Sequence, residues 1–273
     1  MSFYVDPAES NTTQAFVFTD KPDDASIIFL AFRGTEPFNT TDWCTDFDFA
    51  WFDLRDWRND WEGGLHIGFL EALGLVNRDK KWTMETLQEN IRNKTPYASG
   101  LSRPNMLKPR LNGDKLLAYD AITQDIEALL QANPNAKFYV SGHSLGGALA
   151  LTFASMLILM RSKGDTILEK LSGVYTFGQP RICNGKFSDT LNNKMQELNV
   201  DYYRIVYCND MVCRVPFDDD VFKFKHAGHK CFYYNSMFEE KVNSFLTQFS
   251  GKTCIYQRTF QVYIICNTLI SID

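Results

Sequence analysis

The sequence predicts an α/β fold with a mainly parallel central sheet flanked by helices, and three observations carry that prediction. First, short apolar runs alternate with amphipathic ones along a chain of 273 residues. Strand, helix and strand in succession call for crossover units and hence parallel pairing. Second, Ser141-Gly142-His143-Ser144-Leu145-Gly146-Gly147 follows the apolar strand Lys137-Phe138-Tyr139-Val140 and precedes residues 148–160, which are apolar on every side. Strand, G-x-S-x-G and buried helix in that order make the nucleophile elbow of an α/β-hydrolase. Third, the strand Tyr203-Arg204-Ile205-Val206-Tyr207 ends at Cys208-Asn209-Asp210. That places a carboxylate at the carboxyl end of a sheet strand, where such folds gather their reactive groups.

Each element has a local cause. Residues 14–18 and 27–32 read as paired strands around the turn Asp20-Lys21-Pro22-Asp23. A segment rich in Trp, Phe and Asp runs from Trp43 to Trp61, and His66-Ile67-Gly68-Phe69 opens an apolar stretch to Val76. Residues 77–113 are polar, weakly periodic and carry Pro96, Pro104 and Pro109, so they read as an inserted loop. Residues 115–132 place Tyr119, Ile122, Ile126, Leu129 and Leu130 on one helical face and stop at Asn133-Pro134. Val174-Tyr175-Thr176-Phe177 is a buried strand, and Phe187, Leu191, Met195 and Leu198 mark another amphipathic helix. No reliable element is read beyond about residue 243. The length suits one large α/β domain spanning 1–273.

Composition excludes several classes. The chain is 45% apolar and 22% charged with a net charge of −5, without the clustered Lys and Arg that nucleic-acid binding requires. Seven cysteines form no C-x-x-C pair, so neither a disulfide framework nor a zinc site is predicted. No metal or cofactor is implied. The start lacks a signal-peptide pattern and no run is long enough to span a bilayer. The expected location is intracellular: cytoplasmic, or peripheral on a lipid-droplet or membrane surface.

The chemistry is nucleophilic. Serine becomes a good nucleophile when a base takes its proton and a carboxylate orients that base. Ser144 heads the elbow, and glycine at 142 and 146 lets strand and helix crowd together. The Leu145 N–H, at a helix N-terminus, is one oxyanion donor. Thr35, in Arg33-Gly34-Thr35 directly after an early strand, is the second. Asp210 is the acid, since it follows a strand end and comes after the serine; Asp218, Asp219 and Asp220 read as a solvated run. The base is the missing term. Of four histidines, His143 lies within the elbow and is expected to point away from the Ser144 face, and His66 precedes Ser144. Only His226 and His229 follow Asp210. They come so soon after it that little chain remains for another strand and return loop, and they read first as partly exposed polar residues.

Five ordered motifs resemble the class 3 (fungal-type) lipases, nearest to the plant oil-body triacylglycerol lipases: Phe32-Arg33-Gly34-Thr35; His66-x-Gly68-Phe69; residues 142–150; Tyr175-Thr176-Phe177-Gly178-Gln179-Pro180-Arg181; and Asn209-Asp210-x-Val212-x-Arg214-x-Pro216. Arg-Gly-Thr-Glu-Pro-Phe at 33–38 and Trp-Cys-Thr-Asp-Phe-Asp at 43–48 add to the oil-body likeness. The likeness covers about residues 13–240 and leaves a divergent tail, 243–273. It implies Ser144 as nucleophile, Asp210 as triad acid, Thr35 and Leu145 as the oxyanion hole, and His66 as a supporting residue. It also implies a lid at residues 41–51, with Trp43 and Phe47, besides Phe49 and Trp51, turned to lipid. The substrate class is then an acylglycerol or other ester lipid. Cys213 departs from the family, which usually has proline there. The family's base lies well downstream of the acid, whereas residues 243–273 contain no histidine, so the chain reads as truncated at both ends. Two other readings follow: an impaired homologue that binds acyl lipids without turnover, and an acyltransferase on the same scaffold.

Overall fold

The computed structural model describes residues 2–5, 14–34, 51–56, 61–76, 118–162, 164–207, 210–216, 218, 223–228, 230–236 and 239–242. In chain order the elements are β1 (Ser2–Val5), β2 (Gln14–Thr19), β3 (Ile27–Phe32), β4 (Trp51–Asp53), β5 (Gly64–His66), α1 (Ile67–Ala72), α2 (Ala118–Ala132), β6 (Lys137–His143), α3 (Leu145–Met160) and α4 (Thr166–Lys170). They continue with β7 (Leu171–Phe177), β8 (Cys183–Asn184), α5 (Gly185–Glu197), β9 (Asp201–Tyr207), β10 (Phe224–Lys225), β11 (Lys230–Ser236) and β12 (Glu239–Val242). Short 3-10 turns occupy Leu54–Asp56 and Val212–Arg214.

An eight-stranded sheet in the order β1-β2-β3-β6-β7-β9-β11-β12 forms the centre. From β3 to β11 every pairing is parallel, and antiparallel hairpins close both edges. The mainly parallel α/β-hydrolase sheet predicted from the sequence is therefore present. A second, four-stranded sheet, β10-β8-β5-β4, is antiparallel throughout.

The helices follow from their patterns. α3 buries every residue from Gly146 to Leu159, and a helix apolar on all sides belongs inside the core. α2 buries only a stripe that includes Tyr119, Ile122, Ile126 and Leu130. α5 starts where Asn184 Oδ1 accepts the Phe187 N–H at 3.1 Å, an N-cap that satisfies one orphan donor. α4 is capped likewise by Asp165. Arg161, at the end of α3, pairs with Asp165 at 2.7 Å and Glu127 of α2 at 2.6 Å, tying three helices together.

The main core contains Leu30, Phe138, Val140 and Val174 from the sheet with α1, α2, α3 and α5 residues packed on them. Alternate residues of the same strands face the other way. There Phe29, Tyr175, Phe177, Ile205 and Phe232 form a second cluster, in which the Tyr175 and Tyr203 rings stack at 5.2 Å. Much of the aromatic content is thus spent on the two faces of one sheet.

Two differences from the sequence reading have plain causes. β11 lies beyond the last strand read from the sequence, and Lys230 to Tyr234 pair in parallel with Tyr203 to Tyr207 of β9. β11 begins only after positions 226 and 229, so the described chain between Asp210 and His226 holds no more than a 3-10 turn and the two-residue β10. α4 spans five residues, too few to show a helical period. The loop at 77–113 and the tail from 243 lie outside the described residues.

Candidate active site

Ser144 stands between β6 and α3 at φ 54°, ψ −124°. A non-glycine residue held there costs on the order of 1–3 kcal/mol and persists only where its surroundings fix it. Those surroundings are visible. The Ser144 N–H donates to the Phe177 carbonyl of β7 at 2.8 Å, and its own carbonyl accepts from the Gly147 N–H at 3.0 Å. A Cβ at Gly142 would lie 2.1 Å from the Gly146 carbonyl oxygen, and one at Gly146 would lie 2.2 Å from that of Phe32. Strand β6, helix α3 and the end of β3 therefore meet without room for a side chain, and the chain must turn sharply at Ser144.

The same geometry brings the β3 loop to the serine. A Cβ at Gly34 would lie 2.7 Å from the His143 carbonyl oxygen and 3.4 Å from Ser144 Cβ. Thr35, the next residue, lies outside the described residues. Leu145 opens α3, and the first N–H groups of a helix have no acceptor within it. Its amide stands where the helix end favours negative charge.

Asp210 follows β9, the neighbour of β7. Its Oδ1 accepts the Val212 N–H at 2.9 Å and its Oδ2 accepts the Cys213 thiol at 3.6 Å. Burial, followed by the charge of Asp210, pushes the Cys213 thiol up to about 12, so it stays protonated and donates. The turn after β7 joins acid to serine. Gly178, at φ +56°, donates its N–H to Ile205 O at 2.9 Å. A Cβ there would lie 2.7 Å from Asp210 Oδ2 and 3.4 Å from His143 Nε2. Three residues on, the Arg181 guanidinium donates to the carbonyls of Arg214 and Pro216, the latter at 2.8 Å, and clamps the chain that follows the acid.

The described histidines take separate places, and His226 is partly exposed as expected. His143 shares the Gly178 turn with Asp210. Desolvation lowers its imidazole below the usual value, while the Asp210 carboxylate acts to raise it. It lies on the acid side of the elbow because β6 ends beside β7, whose next residue touches Asp210. The His226 ring lies elsewhere: its Nε2 meets the Cys213 carbonyl at 2.8 Å. Burial, then the charge of Arg204, hold this imidazole down at about 3, so it is neutral and Nε2 donates to that carbonyl. His229 lies outside the described residues; Lys230, which follows it, pairs with Tyr203 in the first half of β9. His66 is buried at the start of α1, where its Nδ1 accepts the Gly68 N–H at 3.1 Å. Among the described residues no imidazole hydrogen-bonds the Ser144 hydroxyl.

Trp43 and Phe47 also lie outside the described residues. Trp51, the last residue of the expected lid, is half-buried in β4. It pairs with His66 of β5 and stacks on Phe224 of β10 at 3.9 Å, so this end of the segment belongs to the small sheet rather than to a lipid-facing surface. Sequence reasoning gave no role to Gly178 or Arg181. Their signal was the run Phe177-Gly178-Gln179-Pro180-Arg181 directly after a strand, a turn composition whose partner is set only by strand order. No group of three or more His, Cys, Asp or Glu side chains is placed to hold a metal among the described residues. No helix there is long and apolar enough to cross a membrane.

Comparison with known proteins identifies the family. The family described as Lipase (class 3) matches residues 29–220, a span that holds Gly34, Ser144, Gly178 and Asp210. The triacylglycerol lipase OBL1 of Arabidopsis thaliana is 43% identical over 229 residues, covering 84% of this chain and 41% of that protein. The Nicotiana tabacum protein of the same name is 37% identical over 267 residues, covering 85% of this chain and 45% of that protein. The chain thus spans less than half the length of these relatives. Among solved structures, the triacylglyceride lipase of Rhizomucor miehei superposes with a TM-score of 0.58 at 21% identity, covering 89% of this chain and 68% of that one. Lipase II of Rhizopus niveus gives 0.54 at 22% identity, with coverages of 85% and 66%. The structural likenesses establish the shared α/β-hydrolase fold, while the family match runs through the serine turn, the loop beside it and the acid: the chain belongs to the class 3 lipases.

Proposed function

We propose that the chain is a serine carboxylic ester hydrolase acting on acylglycerols through an acyl-enzyme on Ser144. The observation that carries this reading is the strained Ser144 turn, with Gly34 against its Cβ and the acid side of the site one residue beyond its Phe177 partner. Ser144 Oγ attacks the ester carbonyl carbon while a base takes its proton. The carbonyl oxygen becomes an anion, stabilised by the Leu145 N–H and by Thr35. The alcohol leaves with the proton, and water then releases the fatty acid by the same steps in reverse. Asp210 is the carboxylate that orients the base.

The base is the role to be assigned by experiment. His226 is held by the Cys213 carbonyl, so His143 and His229 remain to be tested by single replacement with alanine. The family comparisons favour the hydrolase over a homologue that binds lipid without turnover. The substrate belongs at a lipid–water interface, a reading supported by the resemblance to oil-body lipases and by the aromatic segment 41–51. A lipid droplet fits that chemistry. The test is a pair of assays, on a short p-nitrophenyl ester and on a triacylglycerol emulsion, with parent and Ser144→Ala. The parent should turn over both and the variant neither; turnover by a folded Ser144→Ala protein rejects the proposal.

A further inference from the structure

Cys213 stands three residues after Asp210, and the structure gives it two bonds, one from its thiol to the acid and one from an imidazole to its backbone. Its thiol donates to Asp210 Oδ2 at 3.6 Å. Its carbonyl accepts from His226 Nε2 at 2.8 Å. Asp210 Oδ1 is held at 2.9 Å by the Val212 N–H of the same turn. Both carboxylate oxygens therefore have a donor from the chain immediately after the acid, and that chain is tied to an imidazole from outside it. The thiol is buried, with 6% of its residue surface exposed, against Val206 of β9 and Cys231 of β11. A carboxylate offers about four lone-pair sites, so two remain for a catalytic imidazole.

We propose that Cys213 is a positioning residue for the triad acid: its thiol holds Asp210 Oδ2 while His226 fixes its backbone, so the carboxylate keeps one orientation. The inference rests on Asp210 serving as the acid of the proposed hydrolase. It assigns His226 a role without proton transfer at the substrate, and it assigns the thiol the role of a donor to the carboxylate. A thiol is a weak donor, but the acceptor here is charged and the donor is buried, which strengthens the bond. The thiol is held protonated by its burial, as a donor must be.

The test uses the whole chain with Cys213→Ala, which removes the donor, and Cys213→Ser, which keeps one. If the thiol positions the acid, Cys213→Ala lowers kcat roughly 3- to 10-fold, the worth of one modest hydrogen bond. KM stays within about twofold, since substrate binding is untouched, and Cys213→Ser stays near the parent. Equal losses in the two variants would reduce Cys213 to a packing residue and overturn the proposal. The infrared S–H stretch gives a second readout that needs no turnover. The band lost in Cys213→Ala, or in Cys213→Ser should the alanine variant not fold, lies at lower frequency than a free thiol. It moves up in Asp210→Asn, where the acceptor loses its charge. A band that ignores Asp210→Asn sinks the proposal. Should the parent show no Ser144-dependent turnover, the hydrolase reading fails, while the infrared comparison still decides whether the thiol holds the carboxylate.

Discussion

At the scale of single residues, environment decides what a titratable group can do. His226 shows this most clearly. Its imidazole is held at about 3 by burial first and by Arg204 second, with the bond to Cys213 acting the other way and Arg181 adding to the depression. In the unfolded chain a histidine titrates near 6.5. Between those two values the unfolded chain binds a proton that the folded one does not, so this group's contribution makes stability fall as pH drops below about 6.5. The slope approaches about 1 kcal/mol per pH unit. His226→Gln keeps an N–H for the Cys213 carbonyl and removes the titration. Urea unfolding at pH 7 and pH 5 should therefore show a smaller acid loss in the variant than in the parent; equal losses would mean that His226 protonates freely in the folded state. For the oxyanion hole, Thr35→Ala should lower kcat by about 10²-fold on a short ester with KM little changed, as for a donor aimed at the developing anion. An unchanged kcat would exclude the side chain.

At the scale of elements, the turn after β7 is where serine and acid are brought into register. Phe177 supplies the carbonyl for the Ser144 N–H, and Gly178 lies against the Asp210 carboxylate. Gly178→Ala would add a methyl 2.7 Å from Asp210 Oδ2 in a backbone conformation that favours glycine. The variant should melt lower by the equivalent of about 1–3 kcal/mol, and lose more activity than a surface variant of equal stability. Activity that tracks stability alone would remove Gly178 from the positioning of the acid. This turn also marks the limit of what the sequence discloses. The elbow is legible because strand, serine and helix are contiguous, and Asp210 is legible because it follows a strand. The contact between Gly178 and Asp210 depends on β7 and β9 being neighbours, and no residue near either states that. The small sheet was hidden for a related reason: β8 and β10 are two residues each, too short for any alternation to register.

At the scale of the whole molecule, the parallel sheet sets one end as the reactive one. The carboxyl ends of β3, β6, β7 and β9 carry Gly34, Ser144, Gly178 and Asp210 in the order in which the strands lie side by side. Strand alternation with helices made that end predictable. The stretch after Asp210 was harder to read, because both downstream histidines come before β11 begins. The proposed function also calls for a surface that meets lipid. The net charge of −5 gives no electrostatic reason to bind anionic membranes, so the proposed reading at a lipid surface relies on apolar contact. Residues 41–50 carry Trp43, Phe47 and Phe49 just after the Arg33-Gly34-Thr35 loop, and Gly34 lies against Ser144 Cβ. Trp51, fixed in the small sheet by Phe224, anchors the far end of that segment. If residues 41–51 serve as the lid that the resemblance implies, they would cover the serine in water and release it at an interface. The double change Trp43→Ser and Phe47→Ser should leave hydrolysis of a soluble short ester within about twofold and cut both binding to a triacylglycerol emulsion and turnover there by roughly 10²-fold, the loss expected when two large apolar side chains at about 1.5 kcal/mol each are removed. Partitioning onto the emulsion equal to the parent's would show that the two aromatics pack inside the protein and that another surface meets the lipid.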